Sequence, residues 1–158
     1  MNPWRPHWRT AEGTGLPDTV QSLTLAATLG SLQPALDFIR RGANEANLPD
    51  DRAGQIEVII EEVLMNISRH AYPQGTPGDL TINYWIPGPG ELHFEVADQG
   101  REFNPLAVSP PDLSLELGDR PIGGLGLVLI RSYADSLAYR RERGWNRLTV
   151  AILAARRS

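Results

Sequence analysis

Residues 61–72 read EEVLMNISRHAY and combine a packing pattern with a polar pair. Val63, Leu64 and Ile67 are spaced as the packing residues of a helix. Glu62 and Asn66 stand one turn apart among them, so both side chains project from one face beside the apolar stripe. Ordinary packing does not call for that pair. Upstream, Pro49, Asp50 and Asp51 mark a break and a helix start, and Ile56, Ile59, Ile60, Val63 and Ile67 form a broad apolar face running to about Tyr72.

The flanking sequence supplies a sheet. VQSLTLAA, residues 20–27, reads as a first strand. SLQPALDFIRRGANEANL, residues 31–48, places Leu32, Leu36, Ile39 and Ala43 at helical spacing, with Ser31 as the expected cap and Pro34 tolerated in the first turn. After the turn PQGTPGD, the strands DLTINYWI (79–86) and ELHFEVAD (91–98) alternate and are joined by PGPG, the mark of an antiparallel hairpin. From Gln99 to about Gly124 periodicity disappears among prolines and glycines, a length of loop that usually belongs to a functional lid. A helix resumes in GLGLVLIRSYADSL, and SLAYRRERG and NRLTVAIL close the chain as a second hairpin around Gly144.

Composition bounds the function. The 158 residues suffice for one domain with a sizeable core, and 41% hydrophobic with 22% charged content is that of a globular protein. A net charge of −4 and a pI near 5.3 argue against a surface built to hold nucleic acid. The absence of cysteine excludes disulfides, zinc thiolates and thiol nucleophiles, and the three histidines, His7, His70 and His93, are too scattered for a histidine-rich metal site. Residues 1–19 are expected to form an extended arm, with Trp4 and Trp8 as docking groups, ahead of a domain over 20–158. No segment approaches the ~20 apolar residues of a membrane span, and nothing resembles a signal peptide, so the expected location is the cytoplasm.

Three features carry chemistry. Asp98 ends an alternating strand ahead of Gly100, as either a turn-forming residue or a carboxylate offered at the rim of the sheet. Gly123, Gly124 and Gly126 stand directly before a helix, where they serve either as a flexible entry or as a backbone cradle for phosphate. No Gly-Lys-Ser/Thr follows, which excludes a Walker loop. Glu62 and Asn66 offer a base and a neutral oxygen ligand at i and i+4. An amide carbonyl suits magnesium, which keeps several waters and takes one or two protein ligands beside phosphate oxygens. Arg69 and Arg101 are each either a solvated cation or a phosphate contact.

In order, EEVLMNISRHAY, VADQG, a lid, GGLGLVLIRSYAD and RGWNRLTV resemble the anti-sigma regulatory factor serine/threonine kinases, a branch of the GHKL ATPases with the Bergerat nucleotide-binding fold. The resemblance spans roughly residues 20–155. It implies a two-layer α/β sandwich, a mixed, mostly antiparallel sheet covered by helices on one face, with ATP lying between the layers. By the same resemblance Glu62 is the catalytic base, Asn66 the magnesium ligand, and Asp98 the partner of the adenine amino group. Gly100 gives the base room, and Gly123, Gly124 and Gly126 wrap the phosphates. Two departures stand out. Glu102 replaces a second glycine after Gly100, and Gly144-Trp145-Asn146 replaces a Gly-Thr pair, leaving Thr149 or Asn146 to help hold the adenine.

The function implied is phosphorylation of a serine or threonine on an anti-anti-sigma partner, a STAS-domain protein, coupled to sequestration of a sigma factor or another effector. A homodimer through the first strand and helix is implied by kinship alone. The competing reading is a nucleotide-dependent sequestration module without kinase activity. A sensor histidine kinase fits less well, because residues 1–19 are too short for a dimerising helix that bears the phosphoacceptor.

Overall fold

A computed structural model describes residues 19–107, 114, 116 and 124–156. The expected arm, except for its last residue, lies outside them, as do Gly123 and most of the expected lid. The elements run β1 (Gln21–Ala26), α1 (Leu32–Glu45), α2 (Asp50–His70), β2 (Asp79–Gly88), β3 (Glu91–Asp98), α3 (Gly124–Tyr133), β4 (Ser136–Glu142) and β5 (Trp145–Leu153), with a 3₁₀ turn at Leu29–Ser31.

The five strands form one sheet in the order β1-β2-β3-β5-β4, and every neighbouring pair is antiparallel. The mixed sheet expected from the resemblance is thus wholly antiparallel among the described residues. Chain direction explains this. Two helices in series between β1 and β2 return the chain in the opposite sense, and both hairpins reverse it by construction. The one connection through a single helix, β3 to β4, does join strands of like direction, but β5 lies between them.

The helices lie on one face. Buried Phe38, Ile39 and Ala43 of α1 and Ile56, Ile59, Ile60, Val63, Leu64 and Ile67 of α2 meet the inward alternate residues of the sheet. Those are Leu80, Ile82 and Tyr84 of β2, Leu92, Phe94 and Val96 of β3, and Leu148, Val150 and Ile152 of β5. Each of the larger aliphatic and phenylalanine side chains contributes about 1.5–3 kcal/mol through burial, and truncating fully buried Phe94 to alanine would cost about 3–5 kcal/mol. Gly42 lets α1 come close, since a Cβ there would lie 3.1 Å from the Tyr84 ring.

Three local expectations change. Ser31 makes no side-chain capping bond, because it closes the 3₁₀ turn with helical dihedrals instead of the extended backbone a cap requires. Strand β2 runs beyond Ile86 through Pro87 to Gly88, with a register shift after Trp85 where proline has no N–H to give to the ladder. Helix α3 stops at Tyr133 and does not reach Leu137. The Asp135 amide donates to the Ala151 carbonyl, and its carboxylate accepts the Leu153 N–H at 2.8 Å and pairs with buried Arg52 of α2. The β4–β5 hairpin turns on Arg143 and Gly144, both with positive φ, the twist that a two-residue connection needs. Among the described residues no helix is long and apolar enough to cross a membrane.

Candidate functional site

Helix α2 and the inward face of the sheet leave a pocket at the end where β3 finishes. Asn66 of α2, Asp98 of β3, Tyr139 of β4 and Asn146 of β5 are its polar lining. Val63 and Ile67 form one wall, Val96 and Leu148 the floor, Leu127 and Ile130 of α3 the side, and Phe103 with Pro105 the front. The space is about 400 Å³ including its open mouth. An apolar slot with a few convergent polar groups suits a planar heterocycle.

Asp98 is buried, and antiparallel register sets it directly opposite Asn146. Its Oδ1 accepts the Gly100 N–H at 2.8 Å and the Asn146 Nδ2 at 3.0 Å. Both donors are uncharged, and both fall on the same oxygen. Asn146 also donates from Nδ2 to the Arg101 carbonyl at 2.8 Å, and its Oδ1 accepts the Tyr139 hydroxyl at 2.7 Å. Burial, and next the nearby Glu102 charge, push the Tyr139 phenol above its ordinary pKa, which keeps it a donor.

On α2, Glu62 is half-buried and turned towards α3. A Cβ built on Gly126 would lie 2.1 Å from Glu62 Oε2, so only glycine fits at that point of α3 while the carboxylate keeps its place. Asn66 and Asp98 therefore share the pocket, with Glu62 and Gly126 against each other. Gly124 begins α3.

Gly100 has a different physical reason to be glycine. A Cβ there would lie 2.3 Å from the Ala71 carbonyl oxygen, at the end of α2, and the next amide, of Arg101, donates to that same oxygen at 2.8 Å. Its smallness lets the strand end dock onto the helix end. Arg69 and Arg101 are exposed and do not line the pocket. Thr149 is buried, yet it pairs with Glu95 and Ala138 on the opposite face of the sheet, because residues of β5 alternate and Asn146 and Leu148 are the ones that point inward. Thr149 therefore does not reach the pocket that the adenine was expected to fill, and of the two substitutes only Asn146 lines it.

The sequence offers Asn146 only as a substitute for a threonine and does not single out Tyr139. The signal that finds them is parity. Leu148, Val150 and Ile152 are the bulky alternate residues of β5, so Asn146 shares their face, and the hairpin register brings Tyr139 opposite Leu148. For a cation, the described residues contain no cluster of three or more acidic or histidine side chains. One pocket-facing amide with a carboxylate one turn away fits magnesium held mainly by phosphate oxygens and water, and does not fit an all-protein cage.

Residues 25–152 match the histidine kinase-like ATPase domain family. The chain belongs to that family. Among curated relatives, the serine/threonine-protein kinase BtrW of Bordetella bronchiseptica is 34% identical over 90 residues, which cover 57% of this chain and 63% of that protein. The serine-protein kinase RsbW of Listeria monocytogenes is 26% identical over 106 residues, covering 65% of this chain and 67% of the relative. The matched part is thus about two thirds of each relative's length. A crystal structure of the RsbU and RsbW domains of a Mycobacterium tuberculosis protein aligns with TM-score 0.60 at 17% identity, over 87% of this chain and 33% of that one, and shares the fold.

Proposed function

We propose that the protein is an ATP-dependent serine/threonine protein kinase and anti-sigma regulator whose substrate is an anti-anti-sigma STAS-domain protein. One observation supports the reading: Asn66 and Asp98 line a single pocket against α2, and one turn before Asn66 the Glu62 carboxylate lies against Gly126 of α3. The names of the curated relatives support the serine-kinase class. Asp98 would accept a hydrogen bond from the six-amino group of adenine, and the ring would lie between the apolar walls. The glycine segment of 123–126 would meet the phosphates.

In the transfer, the partner's hydroxyl oxygen bonds to the γ-phosphorus as the bond from that phosphorus to the bridging oxygen breaks, and ADP leaves. Glu62 would take the hydroxyl proton on its carboxylate. Asn66 would be the protein ligand for magnesium, which supplies charge neutralisation on the phosphates when bound. Arg69 and Arg101, both exposed, would contact the partner or the phosphates. The unphosphorylated and phosphorylated partner would compete differently with a sigma factor or other effector for this chain, in the cytoplasm. A homodimer through β1 and α1 would complete the assembly.

The test is direct. The full chain is mixed with ATP, magnesium and a candidate STAS-domain protein, and the partner is weighed intact by mass spectrometry. Gain of one phosphoryl group that requires Glu62 is the expected result. A nucleotide-stabilised complex with no change in partner mass would instead establish sequestration without catalysis.

A further inference from the structure

Asn146 has no hydrogen-bonding capacity left for a ligand. A side-chain amide offers two donor hydrogens and an acceptor oxygen with two lone pairs. Here the hydrogens go to Asp98 Oδ1 at 3.0 Å and the Arg101 carbonyl at 2.8 Å, with Gly100 O a longer 3.5 Å neighbour. The oxygen accepts the Tyr139 hydroxyl at 2.7 Å and the Phe103 N–H at 3.4 Å. The Phe103 N–H, which can only donate, and the Arg101 carbonyl, which can only accept, fix which end of the amide is which, and the Tyr139 hydroxyl donates to the oxygen end and holds it there.

Two consequences meet at the pocket. Asp98 carries both its bonds on Oδ1, so Oδ2 is left for a ligand's donor. Phe103 and Pro105, the front wall, hang from a segment whose Arg101 carbonyl and Phe103 amide are held by the same Asn146. We propose that Asn146, oriented by Tyr139, is the positioning residue that presents one oxygen of Asp98 to a six-amino purine and joins that oxygen to the front wall of the pocket. The assignment rests on the ATP-site reading above. It makes base selectivity, rather than affinity in general, the property that Asn146 controls.

The test compares affinities of the full chain for ATP and for inosine triphosphate, whose six-oxo group offers Asp98 an acceptor instead of a donor, by calorimetry with magnesium. Wild type is expected to prefer ATP by about tenfold or more, the scale of one hydrogen bond to a charged acceptor. Asn146→Ala should reduce the preference to about threefold or less, and Tyr139→Phe, which removes only the hydroxyl, should reduce it part of the way. If both variants bind the two nucleotides more weakly but keep the wild-type ratio, Asn146 merely supports the fold and the proposal is overturned. Should Asn146→Ala fail to fold, the Tyr139→Phe ratio decides alone. A wild type that binds neither nucleotide overturns the ATP-site reading, and this inference with it. A wild type that prefers ATP, with variants that do so equally, overturns only the inference.

Discussion

Strand β3 carries two buried carboxylates on opposite faces of one sheet, and their surroundings could hardly differ more. On the helix-covered side, Asp98 is held by an amide N–H and an asparagine, and one of its oxygens takes neither bond. On the other side, Glu95 meets Arg147 at 2.8 Å and Arg140 at 3.8 Å, with Asn83 donating at 3.3 Å to the same oxygen as Arg147. Cations neutralise Glu95 and fix it as part of the scaffold. Neutral donors orient Asp98 while leaving its charge and an oxygen available, the state in which a carboxylate can still choose a ligand.

The contrast predicts that carboxylates on the pocket side answer in function and the outer one in stability. The largest effect belongs to Glu62: Glu62→Gln should lower phosphoryl transfer to the partner by roughly 10²–10⁴-fold, the usual worth of a general base, while calorimetry still finds ATP bound. Next, Asp98→Asn should weaken ATP binding by about 10–100-fold with little change in melting temperature. Glu95→Gln should do the reverse, lowering stability by about 1–3 kcal/mol in urea unfolding, a range reduced because Arg147 keeps partial access to solvent. If Glu95→Gln abolishes ATP binding in a fully folded protein, the division between the two faces is wrong. Gly100→Ala should cost about 1–3 kcal/mol through its collision with Ala71, with a smaller effect on nucleotide affinity.

The smallest effect is in pH. Burial raises the phenol pKa values of Tyr72 and Tyr139 above the ordinary 10.0. A folded-state pKa above the unfolded value leaves stability intact below the unfolded value and removes it as pH rises through the folded one. Melting temperature should therefore fall above about pH 10, and more gently in Tyr139→Phe.

Helix α2, both hairpins and the alternation that ends β3 at Asp98 are legible in the sequence because period and punctuation are local properties. The convergence of Asn66 with Asp98 follows from the fold those elements make. Pairing across the sheet is not local. Thr149 looked as good as Asn146 until register with β3 put one of them behind the sheet, and Glu95 gave no sign of the arginines that arrive from 45 and 52 residues downstream, at Arg140 and Arg147. The sequence offers Gly100 as room for a ligand and gives no sign of the Ala71 carbonyl, because a collision with a helix end depends on non-local packing. Asp135 was read into a helix because nothing nearby announces that Arg52 claims it.

The junction at Gly100 has a mechanical meaning. The Ala71 carbonyl holds Arg101, and the Tyr72 hydroxyl accepts the Gln99 N–H while donating to Asp79, so helix α2 and strand β3 are riveted at the end where Asn66 and Asp98 face each other. At its far end α3 is pinned as well, by Arg52 through the Tyr133 carbonyl and Asp135. The relative placement of Asn66 and Asp98, one on each element, is thereby set by hydrogen bonds that use neither of their side chains, so the two can be exchanged for other residues without loosening the joint.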